Sequence, residues 1–91
     1  MEIEFRRSQI EIRKREVSEL LDDISRPGFM KETLSFGETA AFDFDRLIMS
    51  GHSFGGMTAI EMAHSDSRCK ALFGIDPWLW VRHEQITKNE F

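Results

Sequence analysis

The feature that most constrains the fold is a glycine-rich turn between an apolar run and a helical pattern. Residues 47–50 read LIMS, and GHSFGG follows at residues 51–56. A short apolar run that is closed by glycine is typical of a buried strand, whereas the spacing of Met57, Ile60 and Ala63 is helical. The strand must therefore turn directly into the helix.

A second apolar run, ALFGI at residues 71–75, follows a polar break after this helix. Strand, helix and strand at this spacing form a βαβ unit, in which the strands are parallel and the crossover is right-handed. We therefore expect an α/β fold, with both strands buried on both faces of an open, mostly parallel sheet.

The N-terminal part of the chain has an amphipathic helical pattern. Its apolar residues recur every seven positions and are Ile3, Ile10, Val17 and Ile24. The proline and glycine at residues 27–28 end the helix. Because Phe5 and Ile12 lie off this stripe, a crossover helix packed on the sheet is favoured over a coiled coil. Residues 29–44 have no clear period and are predicted to be a connection with room for a helical turn.

Composition excludes several classes of function. A chain of 91 residues suffices for one small domain with a modest core. A net charge of -4 argues against binding to nucleic acid. The single cysteine, Cys69, excludes an internal disulfide and a cysteine-rich metal site. No segment has the pattern of a signal peptide or is apolar over enough residues to span a bilayer.

The glycine-rich turn matches G-x-S-x-G, the nucleophile elbow, with Ser53 as the candidate nucleophile. In such a turn the serine adopts a strained backbone conformation and presents its hydroxyl at the carboxyl edge of the sheet. We expect Gly51, Gly55 and Gly56 to avoid side-chain collisions where strand and helix pass. The backbone N–H of Phe54 is the expected oxyanion donor, because it begins the helix.

Two other uses of such a turn fit this sequence less well. Tight packing of a strand on a helix also needs glycines, but it does not require a serine at the centre of the turn. A phosphate-binding loop is disfavoured, since GHSFGG lacks the P-loop lysine and does not match G-x-G-x-x-G.

A catalytic serine also needs a histidine base and a carboxylate that orients the histidine. Asp76 directly follows the second strand, at the same edge as the turn. From position alone, two roles are equally supported for it: the acid of a triad, or a cap of the turn at Pro77.

None of the three histidines is a good candidate for the base. His52 adjoins the serine, but neighbouring side chains diverge at an elbow, so we expect it to pack against the sheet. His64 lies at the end of the predicted helix, where its interaction with the negative C-terminus is favourable, so we expect a surface or capping residue. His83 follows Asp76 by only seven residues, too few for another strand and helix.

Residues 43–80, DFDRLIMSGHSFGGMTAIEMAHSDSRCKALFGIDPWLW, resemble the core of the platelet-activating factor acetylhydrolases, the plasma and intracellular type II lipases of the α/β-hydrolase fold. The resemblance rests on GHSFGG, on SDSRCKA before the second strand, and on DPWLW after it. The interval between Ser53 and Asp76 is that of the family's nucleophile and acid, which favours Asp76 as the acid. A weaker resemblance extends over residues 10–24.

The resemblance implies that residues 1–91 are a partial α/β-hydrolase domain, without the family's N-terminal strands, its second oxyanion donor and its C-terminal histidine-bearing region. It implies a serine ester hydrolase that removes short or oxidised sn-2 acyl groups from phospholipids through an acyl-serine intermediate, without metal or cofactor. Family members are secreted or cytoplasmic. We expect the chain alone to be inactive.

Trp78, Leu79 and Trp80 follow the candidate acid. They are expected to line an acyl pocket, to contact a lipid interface, or to pack in the core. Two other functions stay open: another α/β-hydrolase, such as a dienelactone-hydrolase-like carboxylesterase, or a non-catalytic truncated remnant. The resemblance implies a phospholipid or small ester as substrate, and the sequence does not indicate an oligomeric state.

Overall fold

The computed structural model describes residues 3–37 and 40–90. These residues contain four helices and two strands: α1 (Ile3–Ile24), α2 (Phe29–Leu34), β1 (Ile48–His52), α3 (Phe54–Ser65), β2 (Ala71–Ile75) and α4 (His83–Thr87). Short 3-10 helices lie at Phe44–Arg46 and Leu79–Arg82. The predicted bounds of α1 and β2 are confirmed, whereas β1 begins one residue later than predicted and continues to His52.

The two strands form a parallel pair, as predicted. The register runs from Ile48 opposite Ala71 to His52 opposite Ile75. Pairing continues one residue further, because the Ser53 N–H donates a hydrogen bond of 3.0 Å to the Ile75 carbonyl. Both strands therefore end at one edge of the sheet, and we call it the elbow edge.

The buried core lies between helices rather than within the sheet. α3 packs against both strands, and α1 packs against α3. The buried apolar residues come from α1, α3 and the second 3-10 helix, and they are Ile10, Leu21, Met57, Ala59, Met62 and Val81. Burial of one large apolar side chain stabilises a fold by about 1.5–3 kcal/mol. Because so few side chains are buried here, the total stabilisation from the core is small.

The expected burial of the strands on both faces is wrong for the described residues. All five residues of β2 are exposed, and exposure alternates along β1. Ile48 is 63% exposed and Phe73 is 61% exposed. Burial on both faces needs a second layer and flanking strands, whereas the described part of the chain covers only the face that α3 packs against.

A buried carboxylate joins three elements. Glu61 of α3 is only 4% exposed and accepts hydrogen bonds of 2.6 and 3.2 Å from the Arg82 guanidinium. Arg82 also donates to Glu11 of α1 at 3.1 Å, and Lys14 of α1 lies 3.8 Å from Glu61. The hydrogen bond to Glu61 raises the pKa of Arg82, so the guanidinium stays charged.

A second polar network fixes the other end of α1. Arg68, in the loop after α3, donates 2.7 Å to Asp66 and 2.8 Å to Asp22 of α1. It also reaches the Ser18 carbonyl at 3.3 Å. At the start of α1, the Arg7 Nε donates to the Val81 carbonyl at 2.9 Å. α1 therefore runs alongside α3 in the same direction, with its first turns at the elbow edge.

Replacing the buried carboxylate by an amide, Glu61→Gln, should lower the free energy of unfolding by about 2 kcal/mol, because Arg82 then keeps only the exposed Glu11 carboxylate as an opposite charge. The measurement is urea unfolding followed by circular dichroism. Glu11→Gln is the matched control, and its exposed carboxylate should contribute less than about 1 kcal/mol. Equal effects of the two variants would contradict this assignment.

The Asp66 carboxylate should make stability depend on pH. The hydrogen bond from Arg68 lowers its pKa below the ordinary value of 3.8. A lowered folded-state pKa stabilises the fold above pH 3.8, and this contribution is lost as pH falls through the lowered value. The difference in unfolding free energy between the parent and Asp66→Asn should be constant near neutral pH and shrink in acid. Arg68→Gln should flatten the acid dependence, and an unchanged profile would exclude the pair as its source.

Candidate active site

Ser53 has a positive φ, outside the left-handed helical region, at the junction of β1 and α3. Its φ is 57° and its ψ is -118°. A residue with a side chain is strained there by about 1–3 kcal/mol, so the surrounding structure must hold it. The Ser53 N–H bonds to Ile75, and its carbonyl accepts from Met57 at 3.1 Å and Trp78 at 3.2 Å. The predicted strained conformation is confirmed.

Gly51 and Gly56 show why the turn needs glycine. A Cβ on Gly51 would overlap the Gly55 carbonyl and lie 2.8 Å from the Gly56 nitrogen. A Cβ on Gly56 would lie 3.1 Å from both the Gly51 oxygen and the Pro77 Cβ. The steric role predicted for these two glycines is observed. The same role at Gly55 is wrong, because a Cβ there would meet nothing within 4 Å.

Phe54 begins α3 directly after the serine. The first N–H groups of a helix have no acceptor within the helix and form its positive end. The Ser53 side chain does not cap these groups. The Phe54 ring packs edge-on against Trp78, with centroids 5.8 Å apart and an angle of 83°. Phe54 is therefore fixed by both its helix and its ring, while its role as oxyanion donor stays a prediction.

Asp76 follows β2 at the elbow edge, one residue past the pairing of His52 with Ile75. Its φ is 45°, a left-handed conformation that aspartate tolerates better than most residues. The carboxylate is exposed, and within the described residues it has no hydrogen bond to Ser53 or to a histidine. The structure thus brings Ser53 and Asp76 to neighbouring strand ends without joining their side chains.

The three histidines are all exposed, and within residues 3–37 and 40–90 none is hydrogen bonded to the Ser53 hydroxyl. His52 is the last residue of β1. Its expected packing against the sheet is wrong, because the strand end is uncovered. His64 lies in the last turn of α3, and His83 begins α4. The described residues therefore place a serine and a candidate acid together without a base beside them.

The residues after Asp76 divide into two environments. Trp78 is half-buried, packs against the core and contacts Trp80, with ring centroids 5.7 Å apart. Core packing, one of its three expected roles, is therefore observed for Trp78. Leu79 and Trp80 are exposed, so they stay candidates for contact with an acyl chain or a lipid surface.

The described ranges contain no group of three or more histidine, cysteine or acidic side chains that could hold a metal ion. No helix within them is apolar over a length that would cross a bilayer. Burial raises the pKa of the Cys69 thiol, which makes it a poor nucleophile. Ser53 is therefore the better candidate.

Comparison with known proteins bears on this site. A family model described as platelet-activating factor acetylhydrolase, isoform II, matches residues 1–90. The chain belongs to this family. No solved structure matches it.

The match to the acetylhydrolase family covers α1, the elbow and Asp76 alike, so the resemblance inferred from the sequence is confirmed. Membership in the acetylhydrolase family implies an α/β-hydrolase fold, and the parallel strand pair with its helices is consistent with part of one. The family also suggests a function of the phospholipid ester hydrolase type.

Sequence reasoning missed the polar partners of the elbow edge. The Arg6 guanidinium lies 5.5 Å from the centre of the Trp78 ring, a cation–π contact between the start of α1 and the residues after β2. Glu61 was not predicted to be buried. Phe5 and Ile12, which lie off the apolar stripe of α1, are 56% and 50% exposed, so they gave no signal for either contact.

The two glycines of the motif should respond differently to alanine. Gly51→Ala should destabilise the fold by about 3 kcal/mol, because its Cβ has no space beside Gly55. Gly55→Ala should be neutral or stabilising by up to about 1 kcal/mol, because alanine favours helix and the Cβ is unobstructed. Urea unfolding measures both, with hydrogen exchange of the Ser53 amide as a local readout. The reverse order would show that the elbow is built differently.

Proposed function

We propose that this chain supplies the nucleophile and the acid of a phospholipid-directed serine ester hydrolase, as part of an α/β-hydrolase domain. The observation that best supports this is the conformation of Ser53, whose backbone is held at a φ of 57° between β1 and α3. A turn needed only for packing gains nothing from a strained residue with a hydroxyl, whereas a nucleophile gains exposure at the elbow edge.

In the proposed reaction, the Ser53 oxygen attacks the carbonyl carbon of a short or oxidised sn-2 ester. The hydroxyl proton passes to a histidine base, and negative charge develops on the carbonyl oxygen near the Phe54 N–H. The tetrahedral intermediate then expels the lysophospholipid, which takes the proton from the histidine. Water releases the acyl group from Ser53 by the same steps.

Asp76 is proposed to orient that histidine and to stabilise its charged form. Support comes from its position one residue past the strand pairing, at the same edge as Ser53. The exposed Leu79 and Trp80 are proposed to contact the acyl chain or the lipid surface, since tryptophan favours the boundary between water and lipid.

A second candidate is that the chain does not catalyse turnover by itself. The specific observation in its favour is that no described histidine is hydrogen bonded to Ser53. A serine hydroxyl is a weak nucleophile without an adjacent base. The two candidates differ in whether Ser53 becomes reactive once a base is supplied.

Added imidazole is expected to make Ser53 react with an alkyl fluorophosphonate, because it supplies a base that no described residue places beside the serine. Mass spectrometry of the modified peptide gives the site and extent of labelling. Ser53→Ala should abolish the adduct, whereas Ser50→Ala, which removes an exposed hydroxyl in β1, should leave it unchanged.

Absence of labelling at any imidazole concentration, or labelling of another serine, would contradict the proposed nucleophile. Hydrolysis of esters without imidazole would instead contradict the view that the chain lacks a base. A substrate panel of acetylated phospholipids and simple esters separates a lipid-directed enzyme from a general carboxylesterase.

A further inference from the structure

A cavity of about 450 Å³ lies beside the elbow, between the first half of α1 and the start of α3. Its lining residues are Arg6, Gln9, Ile12, Arg13, Glu16 and Phe54. Five of the six come from α1 and the sixth is Phe54, the residue after Ser53, so this space reaches the start of α3 although Ser53 does not line it.

Direct contacts connect the cavity to Ser53. The Phe54 ring forms part of its wall and packs against Trp78. The Trp78 N–H donates to the Ser53 carbonyl, and the Trp78 ring faces the Arg6 guanidinium. A ligand in the cavity would therefore lie against residues that hold the serine in place.

The cavity has an excess of positive charge in a chain whose net charge is -4. Its lining includes two arginines, Arg6 and Arg13, and one acidic residue, Glu16. Arg6 is positioned by a hydrogen bond of 2.7 Å to Gln9 and by the Trp78 ring. Arg13 is 54% exposed, and its Nε forms a long ion pair of 3.8 Å with the exposed Glu16 carboxylate. Arg13 is thus the cation that an incoming anion reaches most easily.

Apolar surface lies beside these charges. Ile12 is half-exposed on the cavity wall, and the Phe54 ring is only partly buried. A guanidinium donates parallel N–H groups that match the oxygens of a phosphate, whereas apolar walls suit a short hydrocarbon chain. Arginines beside an apolar wall fit an amphiphile with a phosphate group better than a neutral ligand.

We propose that this cavity binds the phosphate group of a phospholipid, with Arg13 as its main contact. That the ligand is the substrate rests on the function proposed above; the anion site itself does not. The phosphate and the sn-2 ester of a glycerophospholipid are only a few bonds apart, so a phosphate beside Phe54 would place the ester near Ser53.

The test is an NMR titration of the Ser53→Ala chain, which cannot form an acyl intermediate. The probe is dihexanoyl glycerophosphate at monomeric concentrations, and the readouts are the Arg13 Nε–H and the Phe54 amide. We expect saturable shifts of both. Arg13→Gln should weaken binding about fivefold, because it removes a charge-assisted hydrogen bond at a half-exposed site.

Two further variants make the result specific. Glu16→Gln should tighten binding about twofold, since it removes the negative charge opposite the phosphate. Arg15→Gln is the matched control, because it removes the same charge from α1 at a residue that lines a different cavity. It should change binding less than about 1.5-fold at physiological salt. Equal losses from Arg13→Gln and Arg15→Gln, or no loss from either, would overturn the proposal.

Two other ligands identify what the cavity recognises. Dihexanoylglycerol, which lacks the phosphate, should bind at least tenfold more weakly, and equal binding would overturn the anion site. Inorganic phosphate tests the source of the anion, and binding as tight as that of the lipid would overturn the lipid assignment.

Fluorophosphonate labelling of Ser53 in the parent chain separates this proposal from the proposed function. A chain that labels but does not bind the lipid through Arg13 overturns the cavity proposal alone. A chain that binds through Arg13 but never labels supports the anion site and overturns the assignment of its ligand as a substrate.

Discussion

The close approach of β1 and α3 at Gly51 is the constraint on which the rest of the structure depends. The Gly51 Cα faces the backbone of Gly55 and Gly56 with no space for a side chain between them. This approach forces the chain to reverse within one residue, so Ser53 must take a positive φ. It also directs the positive end of α3 to the edge where Asp76 lies, and each feature of the candidate site follows from it.

α1 stabilises this arrangement from outside. Its polar contacts are spread over its length, with Arg7 bound to Val81, Glu11 to Arg82, and Ser18 to Arg68. A buried ion pair is weak support for stability in itself, because desolvation offsets much of the attraction. Its role here is to fix the position of α1, since displacing the helix would leave the buried Glu61 carboxylate without its full set of partners.

Local sequence predicted what is locally determined. The seven-residue apolar repeat gave the bounds of α1, and the glycine pattern gave the strain at Ser53, because both depend on residues close together in the chain. Burial of β1 and β2 was predicted wrongly, since apolar composition shows what a strand can bury and not which faces are covered. The burial of Glu61 and the contact of Arg6 with Trp78 join segments far apart in sequence, so no periodicity indicates them.

The hydrogen bonds around Ser53 limit how its hydroxyl can move. Its N–H is bound by Ile75, and its carbonyl accepts from both Met57 and Trp78. With both peptide groups held, rotation about χ1 is the one large motion left to the oxygen, which moves on a circle about the Cα–Cβ bond. Three staggered positions on that circle are the available directions of attack, so a base or an ester has to be placed to suit one of them.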